Sequence, residues 1–252
     1  MSNCLIPPEI WDHIADFLQD NPDTLKQCCL VSKPWVPRAR KHLFAILTFG
    51  SPVDLEAWKQ TFPDPSNSPA HHTRTLSICS MAVTAVDVAG GDWVAAFSRV
   101  VSLDVVVNNG SDLGKYLVPF HSNLKSLHVR FLSFSHSQVV DLIRCLPLLE
   151  DLTLQGYDRG DDESRTVSSS STSPPLTGTL SLLRLWGFAR VVYRLLDLPN
   201  GLRFRNLKLA SNYLDDLLSV GKLVEACSGT LEYLDVRHKP QGTVSCASPV
   251  GE

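Results

Sequence analysis

The chain has 252 residues, of which 44% are hydrophobic and 19% charged, with a net charge of −3. This is the composition of a folded protein with a core, and the length allows one large domain or a domain carrying a small module, so a disordered chain is excluded. The slightly acidic balance lacks the excess of basic residues that a phosphate-backbone binder needs, so no nucleic-acid partner is expected.

Residues 1–44 read as three short helices. Ile10, Trp11, Ile14, Phe17 and Leu18 fall at helical spacing behind Pro7-Pro8-Glu9, which suits a helix start. Asn21-Pro22-Asp23 ends that helix and opens the next, with Leu25, Cys28 and Cys29 on its inner face. Ser32 is placed to cap a third helix with Pro34 in its first turn, carrying Trp35, Ala39, Leu43 and Phe44. About 44 residues bury little core alone, so such a unit leans on a partner or on the next domain.

The order Ile6-Pro7-Pro8-Glu9-Ile10, then Ile14, Leu18 and Leu25, then Val31-Ser32-Lys33-Pro34-Trp35, resembles the F-box, and the run Cys29 to Phe44 is most similar to the F-boxes of fungal proteins. Ile6 stands where that family usually has Leu, and Ser32 where it usually has Cys. The resemblance implies docking on the Skp-type adaptor of a cullin-based ubiquitin ligase. By position, the implied adaptor contacts are Ile6, Pro7, Glu9, Ile10, Ile14, Leu18, Leu25 and Val31, with Trp35 in the core of the module.

Residues 45–72 read as a linker with a short strand, Ala45 to Phe49, and a helix. Ser51 caps that helix, Pro52 takes its first position, and Asp54 and Glu56 lie in its first turn. Pro63 to Pro69 is turn chemistry, and His71-His72 read as a solvated loop.

From residue 73 one pattern recurs, apolar-x-x-Leu-x-apolar, in a chain with 37 leucines, 30 of them after residue 75. The central leucines are 76, 103, 127, 152, 183, 207 and 234, with intervals of 27, 24, 25, 31, 24 and 27 residues. Intervals of about 20–29 residues are those of a leucine-rich repeat. The long interval contains a polar, Ser-rich insert at 158–175, read as a loop. Helical stretches lie between the strands: Trp93 to Val100, Val139 to Leu146, and Leu214, Leu217 and Leu218.

The array at 73–236 resembles the leucine-rich-repeat domains of F-box proteins, although Asn stands at the ladder position only at 108 and 212. The expected fold is therefore α/β: a three-helix F-box, then an irregular leucine-rich-repeat horseshoe with parallel strands on the concave face and helices outside. Residues beside each central leucine point away from the core. Among them Leu182, Arg184, Asn206, Lys208 and Tyr233 form the candidate substrate-binding patch. Residues 237–252 are predicted to form a disordered tail.

The acidic cluster Asp161-Asp162-Glu163 reads as a solvated loop and not a metal site. No signal peptide and no membrane span is legible, and the seven cysteines lack a C-x-x-C pair, so free thiols in the cytoplasm or nucleus are expected. No nucleophile, phosphate-loop or metalloprotease motif appears. The reading predicts a non-catalytic substrate receptor of a Skp–cullin–F-box ligase, without cofactor or metal, that binds a protein target on the repeats. The alternative is a repeat scaffold acting outside ubiquitination.

Overall fold

The computed structural model describes residues 7–79, 92–107, 117–131, 143, 146–157, 177–198, 201–211 and 216–238. Ile6, Asn108, Asn212, Leu214, the Ser-rich insert with its acidic cluster, most of the helix expected at Val139 to Leu146, and the chain from 239 onward lie outside them.

Three helices open the fold: α1 (Pro8–Phe17), α2 (Pro22–Val31) and α3 (Val36–Leu43). Asn21 caps α2 by accepting the Thr24 N–H at 3.1 Å. The third helix starts later than Ser32 suggests. A 3₁₀ turn over Lys33–Trp35 precedes it, and Ser32 makes no side-chain cap. Pro37 has no N–H to donate back to Lys33, so the first turn forms the tighter i→i+3 bonds instead. Trp35 is half-buried against Trp11, with ring centroids 4.9 Å apart, at the edge of a small core built from Ala15, Leu25 and Ala39.

Eight strands follow in one parallel sheet, ordered as in the chain. They are β1 (Ile46–Phe49), β2 (Thr75–Cys79), β3 (Ser102–Val107), β4 (Ser126–Phe131), β5 (Asp151–Tyr157), β6 (Thr179–Trp186), β7 (Asn206–Ser211) and β8 (Tyr233–His238). The described helices between them are α4 (Pro52–Thr61), α5 (Asp92–Ala95), α6 (Phe188–Leu196) and α7 (Asp216–Cys227). The architecture is α/β.

The stretch expected as a linker joins this sheet. β1 pairs with β2, and α4 contributes Leu55 and Trp58 to the large core. Its start is a capping box: the Ser51 N–H donates to Asp54 Oδ2 at 2.8 Å and the Asp54 N–H to Ser51 Oγ at 3.4 Å. His72 is half-buried with its ring tilted against that of His71, centroids 3.9 Å apart, so only one of the pair is solvated as expected. β8 also runs past Val236, so Arg237 and His238 belong to a strand and not to the tail.

The backbone repeats one device at nearly every step of the sheet. The carbonyl just before one strand accepts two successive N–H groups at the start of the next. Ala45 takes Arg74 and Thr75, Arg74 takes Val101 and Ser102, Val101 takes Lys125 and Ser126, and Lys125 takes Glu150 and Asp151. Gly178 and Arg205 continue the series. Each carbonyl thereby uses both lone pairs, leaving none of these strand starts unpaired.

Alternation then fills the core. Leu76, Leu103, Leu127, Leu152, Leu180 and Leu207 stand in register and are all buried. The helix side of the core comes from Val191, Val192 and Leu195 on α6 and from Val220, Leu223 and Cys227 on α7. Leu217 and Leu218, which marked this helix in the sequence, are exposed, and α7 turns Asp216, Ser219, Val220, Leu223 and Cys227 inward instead.

Candidate functional site

Two surfaces carry the residues singled out from the sequence. The first is α1. Its apolar residues divide into two faces because each residue advances the helix by about 100°. Ala15 is buried and Leu18 packs against the same small core, while Trp11 meets Trp35. Ile10, Ile14 and Phe17 lie on the other side, 47%, 37% and 86% exposed. At the end of α2, Leu30 and Val31 are also exposed, at 80% and 82%.

An ion cluster fixes α1 on α3. Asp16 accepts two hydrogen bonds from Arg38, at 2.6 and 2.5 Å, and a third contact from His42 Nε2 at 2.6 Å. These bonds hold the Asp16 carboxyl far below the usual carboxylate range, the Arg38 and then the His42 contacts being the main causes. The cluster leaves α1 with its apolar outer face free.

Of the expected adaptor contacts, Pro7, Glu9, Ile10, Ile14 and Val31 are exposed. Leu18 is half-buried on the small core. Leu25 is wholly buried in that core and is not available to a partner. Its spacing marked it as apolar, but three short helices have few residues to enclose, and Leu25 is the largest of those that fill the centre. Phe17 and Leu30 are exposed apolar residues that the sequence reading did not assign to this surface. The signal for Phe17 was present in the spacing, since at about 100° per residue it falls beside Ile10 and Ile14 and opposite Ala15.

The second surface is the side of the sheet away from the core. Register sets its rows. One runs Thr75, Ser102, Ser126, Asp151, then Thr179, Asn206 and Tyr233; the other runs Ser77, Asp104, His128, Thr153, then Ser181, Lys208 and Asp235.

Leu182 does not belong to this surface. It is fully buried, because Leu180 and not Leu183 pairs with Leu152 and Leu207. The interval from Leu152 to the next central leucine is therefore 28 residues, and the outlying 31 disappears. Arg184 is likewise displaced. Ser181 is the β6 neighbour of Lys208, and Arg184 is the extra residue of a bulge where Gln155 opposes Leu183 and Gly156 opposes Leu185. Asn206, Lys208 and Tyr233 remain together: Asn206 pairs with Tyr233, and its amide donates to Thr179 Oγ1 at 3.3 Å.

The same surface holds a charged cluster of Asp104, His128 and Arg130, which the sequence analysis did not single out. Arg130 Nη2 lies 3.2 Å from Asp104 Oδ2, and His128 Nδ1 lies 3.5 Å from Asp104 Oδ1. Burial pushes the His128 imidazole below its ordinary pKa, against the pull of Asp104. Among the described residues no three His, Cys, Asp or Glu side chains are grouped to hold a metal ion. Nor is any helix among them long and apolar enough to cross a membrane.

The chain matches no known family and no curated protein.

Proposed function

We propose that this chain is the substrate-receptor subunit of a Skp–cullin–F-box ubiquitin ligase. Its first 44 residues act as the F-box and its parallel sheet as an irregular leucine-rich-repeat horseshoe. One observation carries the reading. The F-box-like order from Pro7 to Trp35 falls on a three-helix unit whose α1 keeps Ile10, Ile14 and Phe17 outside its own core. Apolar side chains held outward on a braced helix favour a partner that covers them. The repeat reading is supported by parallel strands in chain order whose central leucines are 24 to 28 residues apart.

The chain does no chemistry in this scheme. The outer face of α1 docks on the adaptor, and the polar sheet face around Asn206, Lys208 and Tyr233 holds a protein target. Holding target and ubiquitin carrier in one assembly raises their effective concentration. Cytoplasm or nucleus is the compartment that such a ligase implies.

Co-expression with a Skp-type adaptor and size-exclusion chromatography test this. A stable one-to-one complex is expected from the wild type. The triple variant Ile10→Ala/Ile14→Ala/Phe17→Ala is expected to lose it while keeping its fold, since all three side chains are exposed. A folded wild type that ignores the adaptor would leave the repeat scaffold as the better account.

A further inference from the structure

Among the described residues β8 ends the sheet and pairs with β7 alone. Its core-facing residues are Leu234 and Val236, which stand in register with Leu207 and Leu209. Leu207 and Leu209 are at most 1% exposed, whereas Leu234 and Val236 are 44% and 39% exposed. The other end of the sheet is closed. There Phe49 of β1 is 4% exposed under Trp58 of α4, with ring centroids 5.8 Å apart. Among the described residues the core is thus sealed at β1 and open at β8. An open edge strand with an open apolar side is a template for another strand.

We propose that a second copy of this chain fills it, adding its own β8 antiparallel about a two-fold axis through Val236. The axis stands normal to the sheet, which keeps the two core sides together and requires that it pass through a residue. Only a few centres are then available. Centring on Asp235 sets that carboxylate against itself, and centring on Arg237 sets two guanidinium groups together. Centring on Leu234 sets each Asp235 against a Tyr233. Centring on Val236 sets each Asp235 against the Arg237 of the other copy and joins the two Val236 side chains. Opposite charges directly across a strand pair stabilise it and like charges weaken it, so the charges select this register. Asp235 and Arg237 already form an ion pair within the strand at 2.8 Å, and the second copy turns that pair into a ring of four charges. The contact is the same on both copies and closes at two.

Light scattering on the full chain across the micromolar range provides the test. The wild type is expected to run as a dimer. Asp235→Arg and Arg237→Asp each place like charges across the axis and are expected to weaken the dimer roughly tenfold or more. The double variant Asp235→Arg/Arg237→Asp restores opposite charges and is expected to restore the dimer, with circular dichroism reporting the fold of every variant. A wild type that stays monomeric overturns the proposal, as does one that forms longer head-to-tail polymers. Single reversals that dimerise as well as the wild type overturn it too, and so does a double variant that fails to recover.

Discussion

Gly178 occupies a place that admits no side chain, since a Cβ there would strike the carbonyl of Glu150. Next to it the Thr179 N–H donates both to that carbonyl at 3.1 Å and to Asp151 Oδ1 at 2.9 Å, while the Gly178 carbonyl receives Arg205 and Asn206. Gly178→Ala must therefore move the backbone that starts β6. A loss of roughly 2–4 kcal/mol in urea unfolding is expected. Asp16 sets the other residue-scale expectation. Its carboxyl is held below its ordinary pKa by Arg38 and His42, so the charged form favours the folded state. That contribution is complete above the unfolded value near pH 4 and is lost as pH falls from there toward the depressed one. The group is more than a third exposed, and water discounts the gain. Asp16→Asn is expected to cost about 0.5–1 kcal/mol at neutral pH and to flatten the fall in stability below about pH 4. Thermal unfolding followed against pH checks both.

At the scale of elements, the helices were legible where the signal is local. Ser51-Pro52-x-Asp54 forms the capping box that its residue types imply, and Ser51→Ala is expected to destabilise α4 by about 1 kcal/mol, read as a lower urea midpoint. Strands were legible as a period, and their phase was harder. In Leu180-Ser-Leu-Leu-Arg-Leu185, two leucines compete for the central place. The choice is made by pairing with Leu152 and Leu207 and by the bulge at Gln155 and Gly156, which are contacts distant in sequence. The three-residue difference in frame, Leu183 against Leu180, is an odd shift and therefore turned Leu182 outward in the reading and inward in the fold. β1 carries the same pattern, Phe44-x-x-Leu47-x-Phe49, and aligns Leu47 with Leu76. It was legible as a strand but not as the first of the array, because it follows the helical module directly and α4 follows it. α7 shows the opposite failure: Leu217 and Leu218 have helical spacing, yet which face is buried depends on the neighbouring helix and sheet.

The whole molecule joins a small braced helical unit to a parallel sheet that grows one strand at a time. Its general architecture was legible because each step repeats, whereas the surfaces depend on which residues the packing leaves outside. Of the eight expected adaptor contacts, Leu25 went inside the small core, and Phe17, which shares a face with Ile10 and Ile14, stayed out. The proposed function depends on that outward face more than on any other feature. Isothermal titration of purified full-length chain with a purified Skp-type adaptor measures it directly. One-to-one binding with a negative heat-capacity change, the mark of apolar burial, is expected for the wild type and absent from Ile10→Ala/Ile14→Ala/Phe17→Ala. No heat from a folded wild type, or equal binding by the triple variant, would contradict the account.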